Sequence, residues 1–143
     1  MALRLAAIFL AARTGTARYE GIAYGSGISS DGLAHYDVNG TSQFDVDFGA
    51  QTFGGGMALA GADTSSGAQR DFGAYDVAGT LSAQGSAMRG TISREGTGFG
   101  ALDAFFYGAD AQEIAGTFHL NTPATGGENR EVSIMGAVAA TRR

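Results

Sequence analysis

Phe105-Phe106-Tyr107-Gly108-Ala109-Asp110-Ala111-Gln112-Glu113-Ile114-Ala115-Gly116-Thr117-Phe118 decides how the rest of the chain is read. Before the polar break, Leu102, Ala104 and Phe106 alternate with Asp103, Phe105 and Tyr107. After it, Ile114, Gly116, Phe118 and Leu120 alternate with Ala115, Thr117 and His119. A period of two on both sides of a short break marks two half-buried strands joined as a hairpin. Gly108 admits backbone that other residues avoid, and Asp110, three residues before Glu113, is spaced to cap one helical turn. The stretch therefore predicts strand, a single turn of helix, strand.

The same pattern continues outward. Phe44, Val46 and Phe48 alternate with Gln43, Asp45 and Asp47; after a turn at Gly49-Ala50-Gln51, Phe53, Met57 and Leu59 share one face. Tyr75, Val77 and Leu81 share a face, as do Met88, Gly90 and Ile92, with Gln84-Gly85 turning the chain between them and Gly96 to Gly98 turning it after. Val132, Ile134, Gly136 and Val138 close the series. Near the start, Arg18 to Gly25 reads as the first strand and Leu33 to Val38 as a short one. Gly25 to Gly32, Gly61 to Gln69 and Asn121 to Asn129 read as loops, and Asn39-Gly40 as a turn. Eight or nine strands broken by turns every roughly 8–12 residues predict an antiparallel sandwich or barrel. The expected core is Phe44, Val46, Phe48, Phe106, Ile114, Phe118, Val132 and Ile134.

Composition agrees. The chain has 143 residues, enough for one domain, and 24 of them are Gly. Scattered among β-branched and aromatic residues, that glycine suits tight turns and crowded strand crossings in a barrel. There is no Cys, which excludes disulfides, thiolate metal sites, cysteine catalysis and a lipid-anchoring cysteine. A net charge of −5, with no basic cluster beyond Arg142-Arg143, argues against nucleic acid and against a membrane surface. A transmembrane barrel needs strands of roughly 9–11 residues and aromatic girdles; the segments here read as shorter, with Phe and Tyr away from their ends, so no membrane insertion is expected. Met1 to Ala12, with Arg4 before an apolar run, reads as a leader or a poorly ordered segment, too short to span a membrane. The domain is expected over 15–143.

A strand ending in Phe106-Tyr107-Gly108, then a small residue, Ala111-Gln112-Glu113 and small-Gly116-x-Phe118 resembles the β-barrel domain of the transferrin-binding protein B family. Arg18 to Gly25, with its Tyr-x-Gly, is similar to the family's opening strand, and Val46-Asp47-Phe48 followed by Thr52-x-x-Gly55 to its early hairpin. Ala109 replaces the usual Pro after Tyr-Gly, and Ala115-Gly116 the usual Gly-Gly. The resemblance, over Gly15 to Thr141, implies an all-β fold: a single antiparallel eight-stranded soluble β-barrel with Gly-rich turns. It implies a non-enzymatic, extracytoplasmic binding module, secreted or at the cell surface, in iron or haem acquisition or host-protein binding. The alternative is a structural or adhesive module of a larger secreted protein. The partner is unassigned, protein or small ligand, and a monomer is expected.

The candidate site residues are few. His35 and Tyr36, beside the Gly-rich loop, are a plausible haem-ligand pair. No resident cofactor is expected; an eight-stranded barrel whose Phe side chains point inward leaves no room for haem inside, so if the barrel binds haem, the site is expected at the rim near His35 and Tyr36. His119 reads as an exposed strand residue. Asp37, Asp45 and Asp47 read as a solvated face, without the spacing of a calcium loop. Gly54-Gly55-Gly56 lacks the Lys-Ser/Thr of a phosphate loop, and no nucleophile elbow is present.

Overall fold

The computed structural model describes residues 15–83, 85–94, 97–122 and 131–143. The expectations for the leader, for Gln84, for Glu95 and Gly96 and for residues 123–129 of the last loop lie outside them. Eight strands follow one another: β1 (Thr16–Ser29), β2 (His35–Asp47), β3 (Thr52–Asp63), β4 (Gln69–Leu81), β5 (Ala87–Arg94), β6 (Thr97–Tyr107), β7 (Glu113–Thr122) and β8 (Val132–Arg142). Each pairs antiparallel with the next, and β8 returns to β1, closing the barrel. The closing ladder runs from Tyr19 opposite Arg142 to Ser29 opposite Val132. Alternation left a sandwich or a barrel open; the closed eight-stranded antiparallel barrel is the one that the family resemblance implied. We call lower the end with the β2–β3, β4–β5 and β6–β7 turns, and upper the end with the β1–β2 and β3–β4 turns.

The inward faces are the expected ones. Phe44, Val46, Phe48, Phe106, Ile114, Phe118, Val132 and Ile134 are all buried. Their rings pack edge and tilt: Phe106 lies 5.8 Å from Tyr19 and 5.5 Å from Phe48, and Phe44 lies 6.4 Å from Phe53, within the range of favourable aromatic pairs. Tyr19 donates its hydroxyl to the Ala111 carbonyl at 2.6 Å, so the one polar atom this ring takes inside is satisfied.

Glycine does more than turn the chain. All eight strands carry an inward-facing glycine at which a Cβ would meet the neighbouring strand's backbone. At Gly116 it would strike the Asp103 carbonyl oxygen, with the Ala104 Cα at 2.5 Å; at Gly136 it would strike the Tyr24 carbonyl oxygen. The wall of a small barrel coils tightly, and these are the points where one backbone leans over the next.

That use of glycine corrects three expectations. Asn39-Gly40 is not a turn: it lies within β2, and Gly40 faces inward against the Ala58 carbonyl. Gly25 to Gly32 is not one loop: Gly25 and Gly27 belong to β1, and the turn is confined to residues 30–34. Gly61 is the inward end of β3, with the Phe72 ring 2.6 Å from where its Cβ would stand. Each was a strong local turn signal overridden by a ladder of ten or more paired residues. The strands are correspondingly longer than expected, 8 to 14 residues, so length does not separate this barrel from a membrane-spanning one. The interior is apolar, and the outward face of β2 carries Asp37, Asn39, Thr41, Gln43 and Asp45, a polar run at positions where a membrane barrel bears its apolar band.

The helical turn expected between β6 and β7 is also absent. Residues 108–112 form a non-helical turn, with Gly108 at φ +92° and Ala111 at φ +54°. Gln112, not Asp110, supplies the cap: its side-chain oxygen accepts the Asp110 N–H at 3.1 Å. Glu113 is already the first residue of β7.

Two stability outcomes follow. Phe118→Ala is expected to lower unfolding free energy by about 3–5 kcal/mol in urea titration, as for other buried aromatics. Gly116→Val is expected to destabilise by about 3 kcal/mol through overpacking, whereas Gly49→Ala, whose nearest neighbour would be the Asp47 carboxylate at 3.5 Å, stays within about 0.5 kcal/mol of the parent.

Candidate binding surface

Three regions can be compared: the interior, the upper mouth and the outer wall. The interior is occupied by the protein itself. Tyr19, Phe44, Phe106, Leu59, Met88 and Ile134 are among its largest wholly buried side chains.

At the upper mouth, His35 and Tyr36 part company. They are successive residues of β2, so their side chains leave on opposite faces. His35 is exposed on the outer wall opposite Ile28, whereas Tyr36 is buried, edge-on to Phe72 at 5.4 Å. The two do not converge on a common point. The loop that was to wrap a ligand beside them is largely β1. His119 is exposed on β7 opposite Met135, and no group of three or more potential metal ligands occurs among the described residues.

Sequence reasoning missed what covers the mouth. Between Leu59 and Ala60 the β3–β4 register shifts, so that Gly73, at φ +94°, and Asp71 face successive β3 residues. The bulge turns Phe72 inward, against the simple alternation of Tyr75, Val77 and Leu81. The guanidinium of Arg70 then lies 5.1 Å from the Phe72 ring centre and 5.8 Å from that of Tyr36. The β4–β5 ladder of described residues spans Asp76 to Leu81, so among the described residues Gln69–Tyr75 pairs with β3 alone. Arg94, the last residue of β5, reaches into this gap. It donates to the Phe72 carbonyl at 3.4 Å and sits 5.8 Å over the Tyr75 ring. Tyr75 donates to the same carbonyl at 2.7 Å, and the Gly73 N–H is taken by the Asp71 carboxylate at 2.8 Å. Side chains thus satisfy the Phe72 carbonyl and the Gly73 N–H. The break in alternation between Phe72 and Tyr75 was the sequence signal for this, and it does not name the residue that fills the gap.

The outer wall carries the exposed apolar surface. Ile22, Tyr24, Ile28, Leu33 and Met135 are the large apolar side chains left exposed among the described residues, Met135 at 71% and Ile22 at 55%. All five fall on β1, β8 or the turn between β1 and β2. Outward positions Ile22, Tyr24 and Ile28 stand beside Ala139, Ala137 and Ser133 of β8, and Met135 stands beside Ser26. Below this strip a groove of about 470 Å³ is floored by Ala115 and Ala139 and bounded by Ile22, Tyr107 and Glu113. The signal was present in the sequence: β1 has apolar residues on both faces, Tyr19 and Ala23 within, Ile22 and Tyr24 without.

With this geometry in hand, comparison with known proteins is specific. The family model described as the C-lobe and N-lobe beta barrels of Tf-binding protein B matches residues 12–142. The chain belongs to this family. Solved structures agree in fold. A single mutant of transferrin-binding protein B from Haemophilus parasuis Hp5 superposes with a TM-score of 0.55 at 17% identity, over 91% of this chain and 27% of that one. The N-lobe domain of lactoferrin-binding protein B from Moraxella bovis gives a TM-score of 0.55 at 17% identity, over 91% of this chain and 60% of that one. This transferrin-binding protein B-type barrel therefore spans about a quarter of the full transferrin-binding protein chain. No curated protein matches it.

Tyr75 offers a test of the mouth. Burial pushes its phenol above the ordinary value, with Arg94 and Arg70 opposing that shift. A raised folded value means that the contribution to stability is complete below about pH 10 and is lost as pH rises beyond it. Alkaline absorbance titration of wild type minus Tyr75→Phe is expected to show one phenol ionising above about pH 10; a difference curve centred below that would place the ring in water.

Proposed function

We propose that this barrel is a non-enzymatic, extracytoplasmic binding module that engages a macromolecular partner through its outer surface, in iron or haem acquisition or in holding a host protein. The observation that carries this reading is the filled interior. Small-ligand barrels keep an apolar cavity with a few convergent polar groups; here the buried side chains occupy that space and the buried tyrosines Tyr19 and Tyr75 spend their hydroxyls on backbone carbonyls. Membership of the transferrin-binding protein B barrel family supports a binding role, and relatives of the same fold are named for binding transferrin and lactoferrin. The transferrin-binding protein relative is described as a vaccine antigen, which fits secretion or cell-surface display.

Two probes test the reading. Titration with free hemin is expected to leave the Soret band unshifted; a shifted band saturating at one equivalent would return a small ligand to the barrel and overturn the surface reading. Iron-loaded transferrin and haemoglobin, passed over the immobilised chain, are the protein probes. Retention of either is the expected result, and retention of neither would remove the iron-related part.

A further inference from the structure

We propose that the outer face of β1 and β8 pairs two copies of this chain, antiparallel, about a two-fold axis crossing β1 between Tyr24 and Ser26. The proposal is independent of the reading above, which assigns no use to this particular wall.

The argument starts from register. Along β1 the outward positions run Arg18, Glu20, Ile22, Tyr24, Ser26, Ile28 from the lower end to the upper. Along β8 and one residue past each end, Arg143 lies level with Arg18, Met135 with Ser26, and Glu131 with Ser30. The strip is therefore cationic at its lower end, apolar in the middle and anionic above, where Asp31 and Glu131 stand. At the lower end Glu20 is already held by Arg18 at 3.1 Å and by Arg143 at 3.6 Å, so two guanidiniums share one carboxylate. A two-fold interface presents one patch to itself, with each residue facing a different residue of the partner copy. Turning a second copy end for end over this strip sets Ile22 against Ile28 of the second copy and Tyr24 against Ser26 of the second copy. On β8 it sets Met135 against Ala137 of the second copy. Each large side chain meets a small or an equal one, as sheets packed face to face about 10 Å apart require. The same rotation brings the Arg18 and Arg143 end of one copy to the Asp31 and Glu131 end of the other, twice. Shape and charge are satisfied by one operation.

The faces of β2, β3 and β4 lack this property. The outward side of β2 is acidic at both ends, with Asp37 above and Asp45 below. The outward side of β3 and β4 has small residues, Gly54, Gly56, Ala58, Ala74 and Ala78, with the acidic Asp71 and Asp76 among them and no large apolar side chain to interlock. Two convex walls meet over β1 and β8 chiefly, so the contact lies at the low end of interface sizes and the dimer is weak and concentration-dependent. The sequence alone favoured a monomer, because alternation shows which residues share a face and not how two faces match.

Sedimentation velocity from low micromolar to millimolar protein tests the proposal. The expected result is a monomer–dimer equilibrium whose midpoint rises at least about tenfold with Ile22→Asp, a centrally placed apolar contact. Arg143→Glu and Glu131→Arg should each weaken the dimer, and the double variant should restore it, because each copy then carries both reversed ends. Raised salt should weaken the wild-type dimer. All of these residues are exposed, so far-UV circular dichroism should show every variant folded. A monomer at all concentrations overturns the proposal, as does a dimer indifferent to Ile22→Asp or a double charge reversal that fails to restore association. None of those outcomes bears on the hemin and carrier-protein measurements, so the two readings fail separately.

Discussion

The structure depends on how closely one strand's backbone can lean over the next. A barrel of eight strands with a side-chain-filled interior has a small radius, and its wall must coil strongly to close. Coiling drives the carbonyls of one strand across the inner face of its neighbour. At Gly40, Gly116 and Gly136 the space where a Cβ would stand is taken by such a carbonyl. A glycine in a strand interior costs about 0.5–1 kcal/mol against alanine, so one in every strand is a substantial expense in chain entropy. Curvature that lets Phe44, Phe106 and Phe118 meet in one core is what offsets it.

This constraint explains what was legible in the sequence. Where alternation was carried by large side chains, as in Phe44-Asp45-Val46-Asp47-Phe48 and across Phe105 to Phe118, both the strand and its inward face were read correctly. Where glycine interrupted the alternation, the strand was cut short. Gly25, Gly40 and Gly61 have the local chemistry of turn residues, and only the neighbouring strand, distant in sequence, makes them wall. Phe72 escaped for a related reason. Its inward aim depends on the bulge at Gly73, and a bulge is a property of two paired strands, invisible in one. The β6–β7 turn was placed correctly, but its stabilising side chain was not: Gln112 reaches back to the Asp110 N–H where a helical cap had been expected from Asp110 and Glu113.

The candidate site was less legible than the fold. His35 and Tyr36 attract attention as neighbours, yet successive strand residues point oppositely, so adjacency in sequence ensures separation once β2 forms. Leu33 to Val38 already reads as a strand, so that separation was legible, and the pairing of His35 with Ile28 and of Tyr36 with Gly27 fixes it. What marks the outer wall is a different kind of signal: Ile22 and Tyr24 alternate with Tyr19 and Ala23 so that β1 is apolar on both sides. In a barrel with one apolar interior, a second apolar face has no intramolecular use.

Closure of the sheet narrows how such a domain can recognise anything. An open sheet can accept an extended partner strand along its edge, with backbone hydrogen bonds providing the affinity. Here pairing of β8 with β1 closes the sheet, and on Gln69–Tyr75, which pairs with no described residue of β5, the Gly73 N–H goes to Asp71 and the Phe72 carbonyl to Tyr75 and Arg94. The interior is claimed by the core. Recognition is left to side chains on the outer wall and to the turns, where strand register dictates spacing and alternation dictates which residues are shown. Residues of the outer wall can change without disturbing the inner glycines or the aromatic core, because the two sets occupy opposite faces of the same strands. One barrel can therefore serve different partners while its closure, which rests on backbone approach, stays fixed.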